Sequence, residues 1–142
     1  MNDKNEVNYD IVLSFAGEDR VYVEKVADFL RERGVNLFYD KYETATLWGK
    51  DLYEHLAKVY GGNARYCVMF ISENYKKKLW TTHERRNAFA KAFMKNEEYI
   101  LPARFDNTEI EGLRNTIGYI DLTEYDPNEF AELILEKLGK RE

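Results

Sequence analysis

Tyr66-Cys67-Val68-Met69-Phe70-Ile71 contains no charged residue. A run of this length and apolar character predicts a strand covered on both faces, set centrally in a sheet. Toward the N-terminus, Leu52, Leu56 and Val59 predict a short amphipathic helix that Gly61-Gly62-Asn63 stops. Before it, Asp40 to Lys50 is a longer, less periodic loop, and Val35-Asn36-Leu37-Phe38-Tyr39 reads as a second strand. Further back, Val23, Val26, Ala27 and Leu30 recur at helical spacing while Glu24, Lys25, Arg31 and Glu32 fill the wet face. Asp19 suits the cap of that helix and Gly34 its end. Tyr9-Asp10-Ile11-Val12-Leu13-Ser14-Phe15 is the first strand.

Toward the C-terminus, Ser72-Glu73-Asn74-Tyr75 reads as a turn, and a helix from about Thr82 is expected to bury Ala88, Ala92 and Phe89 or Phe93. Tyr99 to Phe105 is a fourth strand in which Pro102 removes a ladder donor. Gly118-Tyr119-Ile120-Asp121-Leu122 is a short fifth. Asp126-Pro127-Asn128-Glu129 opens a last helix with a capping aspartate, proline at the first position and glutamate at the third. Phe130, Leu133, Ile134 and Leu138 form its buried stripe. Strands alternating with helices favour right-handed parallel crossovers, and so an α/β domain with a five-stranded parallel sheet. The expected order is 2-1-3-4-5, with the topological switch, where such folds bind ligands, between strands 1 and 3.

The 142 residues suit one domain, expected over 9–139, with 1–8 as a disordered lead-in and 140–142 as a frayed end or linker stub. With 21 basic residues against 26 acidic and a net charge of -5, there is no general electrostatic reason to bind nucleic acid or an anionic membrane. The start lacks the apolar segment of a signal peptide, and no stretch approaches the roughly 20 apolar residues that span a bilayer. A lone cysteine, Cys67, in an apolar run excludes an intrachain disulfide and suits a reducing, cytoplasmic setting. His55 and His83 lie far apart in sequence with no ligand spacing around them, so no metal site is expected. There is neither a dinucleotide-fold glycine fingerprint nor a Walker motif.

Three segments should converge on the switch point: Ser14 to Arg20, Asp40 to Lys50, and Ser72 to Glu84. The last includes Trp80-Thr81-Thr82-His83-Glu84, with Trp80 and Glu84 four apart at an expected helix start. Thr81 and Glu84 also have capping-box spacing, so Glu84 has a purely structural reading. A helix N-terminus keeps such a carboxylate ionised, which makes it a poor general acid but suits it to ribose hydroxyls or to developing positive charge.

At these residues the sequence resembles the TIR domain family, the Toll/interleukin-1 receptor-like domains. Tyr9 to Phe15 is similar to the family's first box, and Phe38-Tyr39-Asp40 with the loop to Gly49 resembles the second box and BB loop. Ser72-Glu73-Asn74-Tyr75 with Trp80 and Glu84 resembles the segment holding the catalytic glutamate of NAD-cleaving members. The third box is represented by Phe130 without a Phe-Trp pair. The resemblance covers roughly residues 9–138 and implies a flavodoxin-like three-layer domain. It permits either hydrolysis or cyclisation of NAD+, as in bacterial defence signalling, or homotypic assembly without catalysis.

Under the enzymatic reading, NAD+ is a consumed substrate and no cofactor is needed. Glu84 is the expected catalytic residue, stabilising oxocarbenium-like charge as neutral nicotinamide leaves. Ser14, Phe15, Gly17, Arg20, Asp40, Trp48 and Trp80 are the expected substrate-binding residues: Phe15, Trp48 and Trp80 as stacking faces, Arg20 or Lys50 near the pyrophosphate, and Gly17 at a close backbone approach. Expected partners are further copies of the chain through the 40–50 loop, and a fused sensor or second-messenger-binding partner. A deoxyribosyltransferase-like enzyme and a phosphorelay receiver share the gross topology, but a receiver needs an aspartate where Ser72 ends strand 3.

Overall fold

The computed structural model describes residues 9–39, 45, 48–49, 64–80, 100–110 and 118–139, with the backbone alone for 78–80. Five strands, β1 (Tyr9–Ser14), β2 (Leu37–Phe38), β3 (Ala64–Ile71), β4 (Ile100–Arg104) and β5 (Ile120–Asp121), form one sheet in the order β2-β1-β3-β4-β5. Every pairing is parallel, as the sequence predicts. The described helices are α1 (Arg20–Glu32), α2 (Glu73–Trp80) and α3 (Pro127–Leu138).

The register aligns Leu13 with Val68 and Phe70 with Ala103, placing these side chains on the face that α1 and α3 cover. Val23, Val26, Ala27 and Leu30 of α1 meet Phe130, Ala131, Ile134, Leu135 and Leu138 of α3 over that face. Val12, Cys67, Met69 and Ile71 point the other way and are buried too. A central strand buried on both faces is what an uncharged run requires. Burial pushes the Cys67 thiol well above its ordinary value, so it stays protonated and unreactive.

Capping fixes α3 as expected. The Asp126 carboxylate accepts from the Glu129 N–H at 2.8 Å, and the Glu129 carboxylate accepts from the Asp126 N–H at 2.9 Å. At the end of α1, Gly34 takes a φ of 79°, and its N–H donates to the Arg31 carbonyl at 3.1 Å. A left-handed residue there satisfies an otherwise open helix carbonyl, and glycine adopts it without strain.

Three sequence readings need correction. Ser72-Glu73-Asn74-Tyr75 is no turn but the start of α2: the Ser72 carbonyl accepts from the Lys76 N–H at 3.0 Å, and its hydroxyl accepts from the Tyr75 N–H at 3.1 Å. Ser72 is thus a helix N-cap. Trp80 therefore ends the described span of α2 and does not lie in the first turn of a helix. Asp19 stands at the N-cap position of α1 but makes no side-chain cap bond, because its carboxylate binds Ser72 instead.

Strand limits also differ. β2 is shorter than Val35 to Tyr39; at its N-terminal side the Val35 N–H is taken by the Leu30 carbonyl at the close of α1. Pro102 does lie inside β4, opposite Met69. Since the Phe105 N–H donates to Ile71 of β3, alternation turns Pro102 toward β5, whose ladder begins only at Ala103. The missing donor is therefore never called on. The helices expected around Leu52 to Val59 and from Thr82 lie outside the described residues.

Candidate functional site

β1 and β3 are neighbours whose following segments leave toward different sides, so their carboxyl ends frame the switch-point crevice. Ser14, the last residue of β1, is 3% exposed, and its hydroxyl lies 2.6 Å from that of Tyr75 in α2. Phe15 follows, buried and stacked on Tyr39 with ring centroids 5.6 Å apart. The Arg20 guanidinium lies 5.0 Å from the Phe15 centroid and 5.5 Å from that of Tyr39, and Nη1 donates to the Tyr39 hydroxyl at 2.9 Å. Arg20 is thereby a held cation at the β1–β2 end of the crevice.

Gly17 lies between these groups in a one-turn 3-10 segment, Gly17–Asp19. Its φ is not positive, and an added Cβ would meet nothing within 4 Å. Neither backbone conformation nor internal packing among the described residues explains a glycine there.

On the β3 side the Ser72 hydroxyl donates to Asp19 Oδ2 at 2.6 Å while accepting from Tyr75. Burial raises the Asp19 carboxyl above its usual range; the Ser72 bond opposes this, and the charges of Glu18 and Asp106 add to it. At the end of β4, Asp106 Oδ2 accepts from the Glu73 N–H at 3.1 Å and Oδ1 from the Thr108 N–H at 3.0 Å. Burial raises this carboxyl, but the bonds from Thr108 and Glu73 and the charge of Arg104 outweigh it, leaving Asp106 below the usual range.

Asp106 thus anchors the first turn of α2 in its ionised form. Asp106→Ala is expected to destabilise the domain by about 1–2 kcal/mol near neutral pH, solvent screening limiting the effect at an exposed carboxylate. A lowered folded pKa contributes stability above the unfolded value near 3.8 and loses it as pH falls through the folded value. Urea midpoints of wild type and variant should therefore converge as pH drops from about 6 toward about 2.

Of the expected site residues, Ser14, Phe15, Gly17 and Arg20 come together at this crevice. Trp48 is 88% exposed, next to Gly49 at a φ of 85°. Trp80 lies at the end of α2, and Asp40, Lys50 and Glu84 lie outside the described residues. Tyr39 and Tyr75, which touch Phe15, Arg20 and Ser14, and Asp106, which holds the first turn of α2, were not among the expected site residues. Tyr39 and Asp106 carry a usable signal, since each lies just past a strand's carboxyl end.

A cavity of about 600 Å³ lies elsewhere, lined by Leu101, Pro102, Tyr119, Ile120 and Leu133, beside the part of β4 that β5 leaves unpaired. Among the described residues no group of three or more His, Cys, Asp or Glu is arranged to hold a metal. None of the described helices is long and apolar enough to cross a membrane.

Comparison with known proteins gives a consistent picture. The TIR domain family matches residues 11–134. The chain is 58% identical over 132 residues, 93% of its length, to the 3' cyclic ADP-D-ribose synthase AaTIR of Aquimarina amphilecti. It is 34% identical over 108 residues, 75% of its length, to the 2' cyclic ADP-D-ribose synthase BtTIR of Bacteroides thetaiotaomicron. It spans only 40% and 36% of these two relatives. Among solved structures, the TIR domain of the Toll-related receptor TRR-2 from Hydra magnipapillata superposes with a TM-score of 0.66 at 17% identity, covering 93% of this chain and 99% of that one. At that identity the match speaks for the fold.

Proposed function

The chain belongs to the TIR domain family, and from that membership we propose that it cleaves the nicotinamide–ribose bond of NAD+ and closes the remainder into a cyclic ADP-ribose, with hydrolysis to ADP-ribose as the competing outcome. The observation that carries this reading is the 58% identity, over 93% of the chain, to a relative named as a cyclic ADP-ribose synthase. NAD+ is consumed, and no resident cofactor enters the reaction.

The chemistry follows from the leaving group. The C1'–N bond breaks with its electron pair passing to the pyridinium nitrogen, so nicotinamide departs neutral and no general acid is needed. Positive charge develops on the ribose, and the ionised carboxylate of Glu84 stabilises it electrostatically. A nucleophile in the adenosine half then bonds to C1' and releases its proton to solvent, giving the cyclic product. Water in its place gives ADP-ribose, so the outcome depends on how the bound chain folds back on itself.

In this proposal Phe15 and Gly17 line the crevice, Arg20 faces the pyrophosphate, and Asp40, Trp48 and Trp80 complete the pocket beside Ser14. The open space above Gly17 supports a close backbone approach by ligand, since nothing among the described residues otherwise calls for glycine. Assembly of copies through the 40–50 loop is a second element of the proposal, to which Trp48, 88% exposed, could contribute a large apolar side chain in place of a contact with ligand. Assembly, a fused sensor that raises local concentration and triggers a defence response, and a cytoplasmic location are parts of the same proposal. Chromatographic separation of the products from NAD+ is the test. A cyclic isomer as the main product supports the reading, and intact NAD+ after prolonged incubation with folded, self-associated protein overturns it.

A further inference from the structure

Ser14 and Tyr75 are 61 residues apart in sequence, yet their hydroxyls meet at 2.6 Å in a buried setting where neither can turn to water instead. Tyr75 is also bound through its N–H to the Ser72 hydroxyl, which in turn donates to Asp19 just before α1. The end of β1, the first turn of α2 and the entry to α1 are thus joined by consecutive hydrogen bonds across the crevice. Such bonds in a low-dielectric interior are directional, so the Ser14–Tyr75 bond ties the end of β1 to α2 in a fixed geometry. Tyr75 lies in the first turn of α2, and Trp80 at the far end stands four residues before Glu84 in the chain.

We propose that Ser14 and Tyr75 are a positioning pair: their hydroxyls set the placement of α2, and they act on the reaction through that helix without touching substrate. This rests on reading the crevice as the NAD+ site, and it gives Ser14 a role different from contact with NAD+. Misplacement of a reacting group by about 1 Å can cost on the order of 100-fold in rate. A hydroxyl that merely packs would lower stability and leave the turnover of the folded protein unchanged.

The test uses Ser14→Ala, Tyr75→Phe and the double variant. Kinetics of nicotinamide release are measured per folded molecule, and hydrogen exchange is followed in peptides from α2 and β3. Each single variant is expected to lower kcat about tenfold with KM within about twofold, because positioning acts on the transition state more than on binding. The double variant should fall no further, because each single change already breaks the same bond. Exchange should rise in α2 and not in β3, which separates displacement of the helix from general unfolding.

A raised KM in Ser14→Ala with Tyr75→Phe unaffected would mean that Ser14 meets substrate, and the proposal fails. Wild-type kcat and unchanged α2 exchange in both single variants would overturn it as well. If the wild-type protein releases no nicotinamide, the NAD+ reading fails, and α2 exchange alone decides the pair: increased exchange supports it as the hold on α2, and unchanged exchange overturns it.

Discussion

Glu84→Gln is expected to lower nicotinamide release from NAD+ by on the order of 1,000-fold, the loss typical when a charge-stabilising group in a water-poor site is removed. That corresponds to about 4 kcal/mol of transition-state stabilisation. Glutamine keeps the size and much of the shape of the side chain, and it serves a capping box as well as glutamate does. If Glu84 only capped a helix with Thr81, the variant would keep both its stability and its activity. If Glu84 stabilises ribose charge, stability stays and kcat collapses with little change in KM, because the interaction arises only as the bond breaks. Steady-state kinetics with a thermal melt on the same samples separate the two.

Phe70→Ala is expected to cost about 3–5 kcal/mol, the range for emptying a large aromatic site in a packed core. Phe70 is fully buried on the central strand. Its ring is stacked on Phe105 at 6.2 Å and meets Phe130 edge-on at 5.7 Å and Tyr22 at 6.4 Å, so one truncation loosens β3, the end of β4, α3 and α1 together. Domains of this size have about 5–15 kcal/mol of stability, so the variant should be largely unfolded in modest urea. A urea midpoint close to that of wild type would contradict the central placement of β3.

The uncharged run at Tyr66 to Ile71 and the strand–helix alternation made the sheet order legible, because burial on both faces leaves a strong one-dimensional pattern. The capping box at Asp126 was legible for the same reason: its partners are three residues apart. What escaped reading depends on contacts distant in sequence. Ser72 looked like a turn residue, and its work as cap to α2 and donor to Asp19, 53 residues away, appears only in three dimensions. Arg20 was expected in the crevice from its place after β1, but that Phe15 and Tyr39 close around its guanidinium appears only in three dimensions. Pro102 seemed to weaken β4 because its outward direction depends on where β5 starts. Phe15, Gly17 and Arg20 could be put forward as candidates from their place after β1, whereas Tyr75 lay in a segment read as a turn.

The most direct measurement is nicotinamide release from NAD+ by the wild-type protein over a wide range of protein concentration. The account predicts release that rises more steeply than in proportion to concentration, as copies assemble through the 40–50 loop. Absence of release at the highest concentration, from protein shown to be folded and self-associated, would contradict it and leave the domain as a non-enzymatic assembly module.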